Sequence, residues 1–364
     1  MEIAEFLQAM RDPSGIPFHP LVFQILMVLT FALHIMFVNF VVGGAFISLW
    51  GRIRGGHDGM RLSRALAQAV TIMLSVAIVL GVAPLLFVQV IYDPFWYTAS
   101  VMSAWWTMGF LLAIGVAFYA FYGFYLGSRK TGGNVLWSII AIASVLVSAV
   151  IIHALSVEQL QPDKWREWLV NGLTVDVSGH GLYAFELPRI LHFIVPSFAM
   201  AGIFLMLYAW YFRDRVDYNA SYVDFVASLG ARLAFWGTAV QAAVGIWWVL
   251  TIPKALEFIY NPFFLVGAVS GLLLLFYLSK ARQAPVEYAV NSALFALGTI
   301  LLMSYAREAL RMAYLGGFGY SIFDYRVVTD WGSTVLFFAT FLGGLVVVAY
   351  TCMVAFQAGK GQSG

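Results

Sequence analysis

The chain has 364 residues, of which 62% are hydrophobic and only 10% charged, with a formal net charge of +2. A soluble domain carries about 25% charged residues, so an ordinary water-facing surface cannot be built, and the near-neutral balance excludes the basic field that a nucleic acid partner needs. The single cysteine, Cys352, excludes an internal disulfide, and no Cys-x-x-Cys-His stretch is present to attach a c-type haem covalently.

From the N-terminus, Met1 to Pro20 contains acids and prolines and lacks the basic start of a signal peptide, so it reads as part of the folded chain. Nine apolar runs follow, near 21–50, 66–92, 105–128, 134–160, 187–212, 226–251, 262–279, 287–306 and 333–357. Each is about as long as the ~20 residues a helix needs to cross the hydrocarbon. The runs are continuous rather than alternating. Only helices and closed barrels satisfy the backbone in lipid, so the predicted fold is an all-α integral membrane bundle forming one domain.

Lys and Arg set the expected orientation. Arg52, Arg54, Arg61, Arg64, Arg129, Lys130, Arg213, Arg215, Arg232, Lys280, Arg282 and Lys360 fall on one side. That side is expected to be cytoplasmic, with the N-terminus outside, in the inner membrane of a cell. The other side holds three longer segments rich in Trp, Tyr and Phe, namely 93–104, 161–186 and 316–331. Such rings favour the headgroup zone and also offer a platform for an extracytoplasmic partner.

Three of the six histidines, His34, His153 and His192, fall inside spans, where an ionisable group marks function by default. His153 and His192 lie at matching depths of ~10 and ~8 Å from the outer side, on helices joined by one loop. Matched imidazoles on neighbouring helices are what a haem iron takes as axial ligands. His34 is deeper, at ~20 Å, and is expected to serve a second haem or a proton path, with Met36, Met73 and Met108 as possible partners. A buried histidine bonded to a carbonyl or hydroxyl is the simpler alternative for each.

Arg189 precedes His192 by one turn on the same helix face, so it is placed to take haem propionates in a bidentate fork. Arg307 and Arg311, also one turn apart, are expected at the outer end of the eighth span, as propionate ligands or as snorkelling headgroup contacts. Glu186 and Asp93 are candidates for the proton acceptors of a quinol site, with Glu158 and Glu257 behind them.

The chain resembles the cytochrome bd quinol oxidase subunit I-like proteins that accompany multihaem c-type cytochromes. The residues that carry this are LTFALHIMFVNFVVGG around His34, GVAPLLFVQVIYDPFWYTAS, ELPRILHF around His192 and SYAREALRMAYL. The resemblance implies one or two haems b, a quinone or quinol substrate and electron exchange with a c-type cytochrome or other redox subunit outside. The chain lacks the large quinol-binding loop and the acids in early spans that the true oxidases carry, which argues against oxygen reduction. A haem-free quinone-binding anchor of the polysulfide-reductase type, a transporter and a terminal oxidase remain the alternatives.

Overall fold

The computed structural model describes residues 3–131 and 134–360. Among these, nine helices are long and apolar enough to cross a membrane, and the only strands are a short antiparallel pair, Val170–Asn171 with Thr174–Val175. The expected all-α membrane bundle is what the chain forms.

In chain order the helices are α1 (Ile3–Ala9), α2 (Pro20–Arg54), α3 (Gly56–Ile91), α4 (Asp93–Met102), α5 (Ala104–Thr131) and α6 (Val135–Glu158). There follow α7 (Trp165–Leu169), α8 (Leu187–Ile194), α9 (Pro196–Phe212), α10 (Ala220–Thr251), α11 (Pro262–Ala281), α12 (Pro285–Gly316) and α13 (Trp331–Lys360). Helices α8 and α9 together make one span, interrupted where Pro196 removes a backbone donor.

The starts of these helices are legible in local chemistry. The His19, Asn134, Asn219 and Asn261 side chains each accept a backbone N–H of the following turn, and proline occupies the first positions of α2, α9, α11 and α12, where its missing donor costs nothing.

Two spans run about ten residues beyond the expected bounds. Helix α3 starts at Gly56 rather than near 66, and α12 ends at Gly316 rather than near 306. Charges such as Arg61 and Arg307 disguised these ends, because a hydropathy reading stops at a charge whereas the helix does not. Arg307 and Arg311 therefore sit inside α12, ~13 and ~8 Å below its end. The expected loop at 93–104 is mostly helix α4, with Asp93 at its first position.

Close backbone approach sets the packing. At Gly43 of α2 an added Cβ would lie 2.0 Å from the Ser197 carbonyl oxygen of α9. Gly202 of α9 would place one 2.4 Å from the Ala234 nitrogen of α10. Small residues at such crossings let helices gain dispersion contacts that lipid does not otherwise favour. One core cluster joins α2, α3, α5, α6, α9 and α10. A second, built from α1, α3, α4, α7 and the 320–325 segment, caps the face that carries the N-terminus, hereafter the N-side. Helix α13 packs on the outside of the bundle through contacts such as Phe87–Phe337, and among the described residues of its apolar stretch none is buried in this chain.

Gly202→Ala is expected to cost on the order of 1–3 kcal/mol, the usual penalty of overpacking. Gly298→Ala, where an added Cβ meets nothing within 4 Å, should be neutral or slightly stabilising. Thermal unfolding in detergent compares the two, and equal melting points would refute the close-packing account.

Candidate functional site

Polar chemistry collects in the N-side third of the bundle. Helix α12 contributes Arg307, Glu308 and Arg311, and α8 contributes Arg189 with Glu186 just before it. Arg189 NH1 is 3.8 Å from Glu186 Oε2, and Arg311 NH1 is 3.6 Å from Glu308 Oε2. Glu308 Oε1 accepts the Tyr92 hydroxyl at 2.5 Å and the Gln24 amide at 3.3 Å.

Arg307 has neither a hydrogen bond nor an ion pair among the described residues. Its guanidinium lies 4.1 Å from the Phe31 ring centroid, and its Nε is buried without a partner, as is that of Arg189. Arg307, Arg189 and Arg311 are close enough to repel one another. Three guanidinium groups thus face two carboxylates. An uncompensated charge in a low-dielectric interior is costly, so this region carries a surplus of positive charge.

His192 lies one turn from Arg189, and the Trp248 ring of α10 meets both, at 5.1 Å from the imidazole and 5.9 Å from the guanidinium. The Gln241 side-chain amide of α10 reaches His192 Nδ1 at 3.0 Å and the His192 carbonyl at 2.8 Å. The ring lies against Gly245, where a Cβ would come within 3.1 Å of its Cε1. Its Nε2 makes no hydrogen bond among the described residues.

The Gln241 amide nitrogen can only donate, so a neutral His192 carries its proton on Nε2; His34 on α2 is held at the same ring atom in the opposite sense. Its Nδ1 is 2.8 Å from the Ala77 carbonyl oxygen of α3. A carbonyl can only accept, so a neutral ring carries its proton on Nδ1 and presents a lone pair at Nε2, which likewise has no partner. A Cβ at Gly81 would lie 2.7 Å from the His34 Cε1, so glycine alone admits the ring here. Of the possible methionine partners, Met73 packs against the core cluster of α2 and α3, and Met108 is exposed.

His153 and His192 do not face each other. The Nε2 of His153 accepts the Glu186 backbone N–H at 3.1 Å, and its ring meets Phe185 edge-on, whereas His192 turns toward α10. To share one iron through Nε2, His153 would have to release Glu186. Position along a helix leaves rotation about the helix axis undetermined.

Asp93 and Glu186 are held in separate surroundings. Asp93 is buried, its Oδ2 accepting the Asp12 N–H at 2.9 Å and its Oδ1 the Tyr325 hydroxyl. Tyr325 pairs with Tyr320 at 2.8 Å, and the Arg11 guanidinium stacks on both rings, 4.2 and 4.5 Å from their centroids. Burial pushes the Asp93 carboxyl above its ordinary value, against the pull of these hydrogen bonds. Glu158 is also fully used, accepting Ser103 Oγ and the Tyr183 N–H.

Two residues here escaped the sequence reading. Glu308 precedes Arg311 by one helical turn, a spacing that signals an ion pair. Gln241 is a lone amide in an apolar span, a signal of the same kind as an intramembrane histidine. Among the described residues no three His, Cys, Asp or Glu side chains converge on one point.

No family model matches the chain, and no curated protein matches it. A solved structure of the bd oxidase from Geobacillus thermodenitrificans does, with a TM-score of 0.60 and 14% identity, over 94% of this chain and 99% of that one. The chain therefore has a bd-oxidase-like fold.

Two outcomes test the electrostatics. Arg307→Met in the ligand-free chain is expected to raise stability by about 1 kcal/mol or more, since it removes an unpaired cation; a lower melting point would refute the surplus charge. A carboxyl raised by burial supports the fold while protonated, below the ordinary aspartate value, and that support is lost as pH rises through the raised value. Wild type should therefore lose melting temperature relative to Asp93→Asn as pH rises above about 4, and parallel curves would show that burial does not govern this group.

Proposed function

We propose that the chain is a haem b-containing, quinone-reactive membrane subunit that exchanges electrons between the quinone pool and a redox partner on the N-side, a c-type cytochrome being the fitting class. The carrying observation is His192 one turn from Arg189, in a cluster whose third guanidinium, that of Arg307, has no carboxylate of its own among the described residues.

Haem b, when bound, supplies a one-electron carrier between a two-electron substrate and the partner. The residues present fit it. The orphaned Nε of Arg189 and of Arg307 call for carboxylates, and propionates are carboxylates. Gly245 and Gly81 leave room against which the two rings lie flat.

His34 would hold one iron through Nε2, and His192 another once the Gln241 amide turns its oxygen, unpartnered here, to accept from Nδ1–H. Gln241 and the Ala77 carbonyl would fix ring orientation, since the partner at the far nitrogen sets the basicity and angle of a ligating imidazole. Arg189, Arg307 and Arg311 would hold propionates, with Glu308 tempering their charge. His153, its Nε2 engaged, is left out of this ligand set.

Quinol oxidation also releases protons, and Glu186, a half-exposed carboxylate beside Arg189, is placed to accept one. Asp93, enclosed by Tyr325 and the Asp12 N–H, serves to anchor the N-terminal segment.

The expected orientation supports the same scheme. Opposite the N-side, Arg52, Arg61, Arg64 and His57 line an open cavity of about 630 Å³, the basic character expected of a cytoplasmic face. The N-side would then lie outside the inner membrane, where its aromatic segments are available to the partner.

The test is a dithionite-reduced minus oxidised spectrum of the purified chain with haem extracted and counted. A b-type α-band in wild type, lost in part in His192→Ala and in His34→Ala, is the expected result, with Arg307→Met weakening haem retention by about ten-fold, the loss of roughly one charge-assisted contact. A flat wild-type spectrum from natively loaded protein would overturn the haem assignments and leave a haem-free quinone-binding anchor.

A further inference from the structure

His153 differs from the other intramembrane histidines in what holds it. His34 is pinned by a carbonyl of α3 and His192 by an amide of α10, whereas His153 is pinned by a backbone N–H of the segment entering α8. A backbone N–H can only donate, so the His153 Nε2 is the acceptor and a neutral ring carries its proton on Nδ1. That Nδ1–H finds no acceptor among the described residues, although the residue is only 6% exposed. The atom is not among the fully enclosed polar atoms that lack a partner, so an acceptor from outside the chain can reach it, and a carbonyl or hydroxyl oxygen is its natural complement.

The surroundings define what carries that oxygen. The ring lies ~8 Å below the N-side end of α6. Phe185 packs edge-on against it, 5.2 Å between centroids, and is itself 53% exposed. Leu187 is 49% exposed, so apolar side chains of this corner between α6 and α8 lie on the outside of the bundle. Between Phe185 and Leu187 stands Glu186, whose backbone N–H fixes the imidazole and whose carboxylate lies 3.8 Å from Arg189. Tyr314 of α12 lies near both Glu186 and Arg189. One corner therefore offers a neutral donor, a carboxylate acceptor and apolar side chains on the outside of the bundle.

We infer that His153 Nδ1–H donates to one oxygen of a quinone head group seated between α6 and the start of α8, with the Glu186 carboxylate facing the ring substituents and Phe185 and Leu187 flanking it. His153 is then a substrate-binding residue and not an iron ligand. The inference rests on the reading of the chain as quinone-reactive and names the place and the donor for that reading. A quinone carbonyl and a quinol hydroxyl oxygen both accept a hydrogen bond, so the donor serves either redox state. Few precisely placed polar groups in an apolar cleft are the usual make-up of such sites.

The test uses the purified full chain with its native cofactor content and a short-chain prenylated 1,4-naphthoquinone as probe. Its binding is titrated calorimetrically in detergent, and haem is counted in the same samples. His153→Ala is expected to weaken binding at least ten-fold with haem content unchanged. His153→Gln, whose amide can accept the Glu186 N–H and still donate, should recover part of the loss. A second readout is pulsed EPR of the probe reduced to its semiquinone, in which coupling to an imidazole nitrogen should appear in wild type and vanish in both variants. Loss of haem in His153→Gln would overturn the inference by making His153 a ligand. Unchanged affinity and unchanged nitrogen coupling in both variants, with haem retained, would overturn it too. Wild-type protein that carries haem and binds no naphthoquinone would instead refute the quinone reading on which it rests.

Discussion

Uncompensated positive charge in an apolar interior is the constraint around which the N-side half of this protein is organised. Arg189, Arg307 and Arg311 come from two helices and are balanced by Glu186 and Glu308 alone. In water a guanidinium without a partner is unremarkable, but among packed helices the cost of its desolvation must be met by hydrogen bonds, rings or an anion. Each substitute is present in part. Phe31, Tyr92 and Trp248 offer ring faces to the three cations, and Met27 Sδ lies 3.6 Å from Arg311 NH1. The orphaned Nε atoms of Arg189 and Arg307 are what remains after these are counted. The proposed propionates would supply the missing carboxylates.

The same region shows how backbone geometry places buried imidazoles. An imidazole lying flat against a helix needs a position without a Cβ, and His34 and His192 each have one, at Gly81 and Gly245. The glycines of the α2–α9 and α9–α10 crossings have a different task, bringing helix axes together so that dispersion can hold them. Glycine thus serves packing at Gly43 and Gly202 and side-chain placement at Gly81 and Gly245. The sequence alone does not separate the two uses, since all four are single small residues in long apolar runs.

Capping of the N-side ties this chemistry to the surface. Arg11, stacked on Tyr320 and Tyr325 and donating to the Ser321 carbonyl, clamps the N-terminal segment to the 320–325 turn. Asp93 joins that clamp through Tyr325, and its neighbour Tyr92 reaches Glu308. Two adjacent residues therefore connect the outer cap to the charged cluster. Residues chosen from sequence as one group, Asp93 and Glu186, divide between these tasks, one fixing the cap and the other standing beside Arg189.

The amino-acid sequence by itself determined the helical membrane fold, because lipid leaves the backbone no alternative to internal hydrogen bonds and the apolar runs have the length to span it. It also placed Arg189 and His192 one turn apart on one helix, since rise per residue is constant, although the charges that disguised the end of α12 hid how far Arg307 and Arg311 lie inside it. Only the tertiary structure decided what each polar group faces. Rotation about a helix axis is set by the neighbours a helix packs against, and this turned His192 toward Gln241 and left His153 with the Glu186 N–H. It likewise brought Glu308 under Tyr92, a contact between residues far apart in sequence for which no local pattern exists.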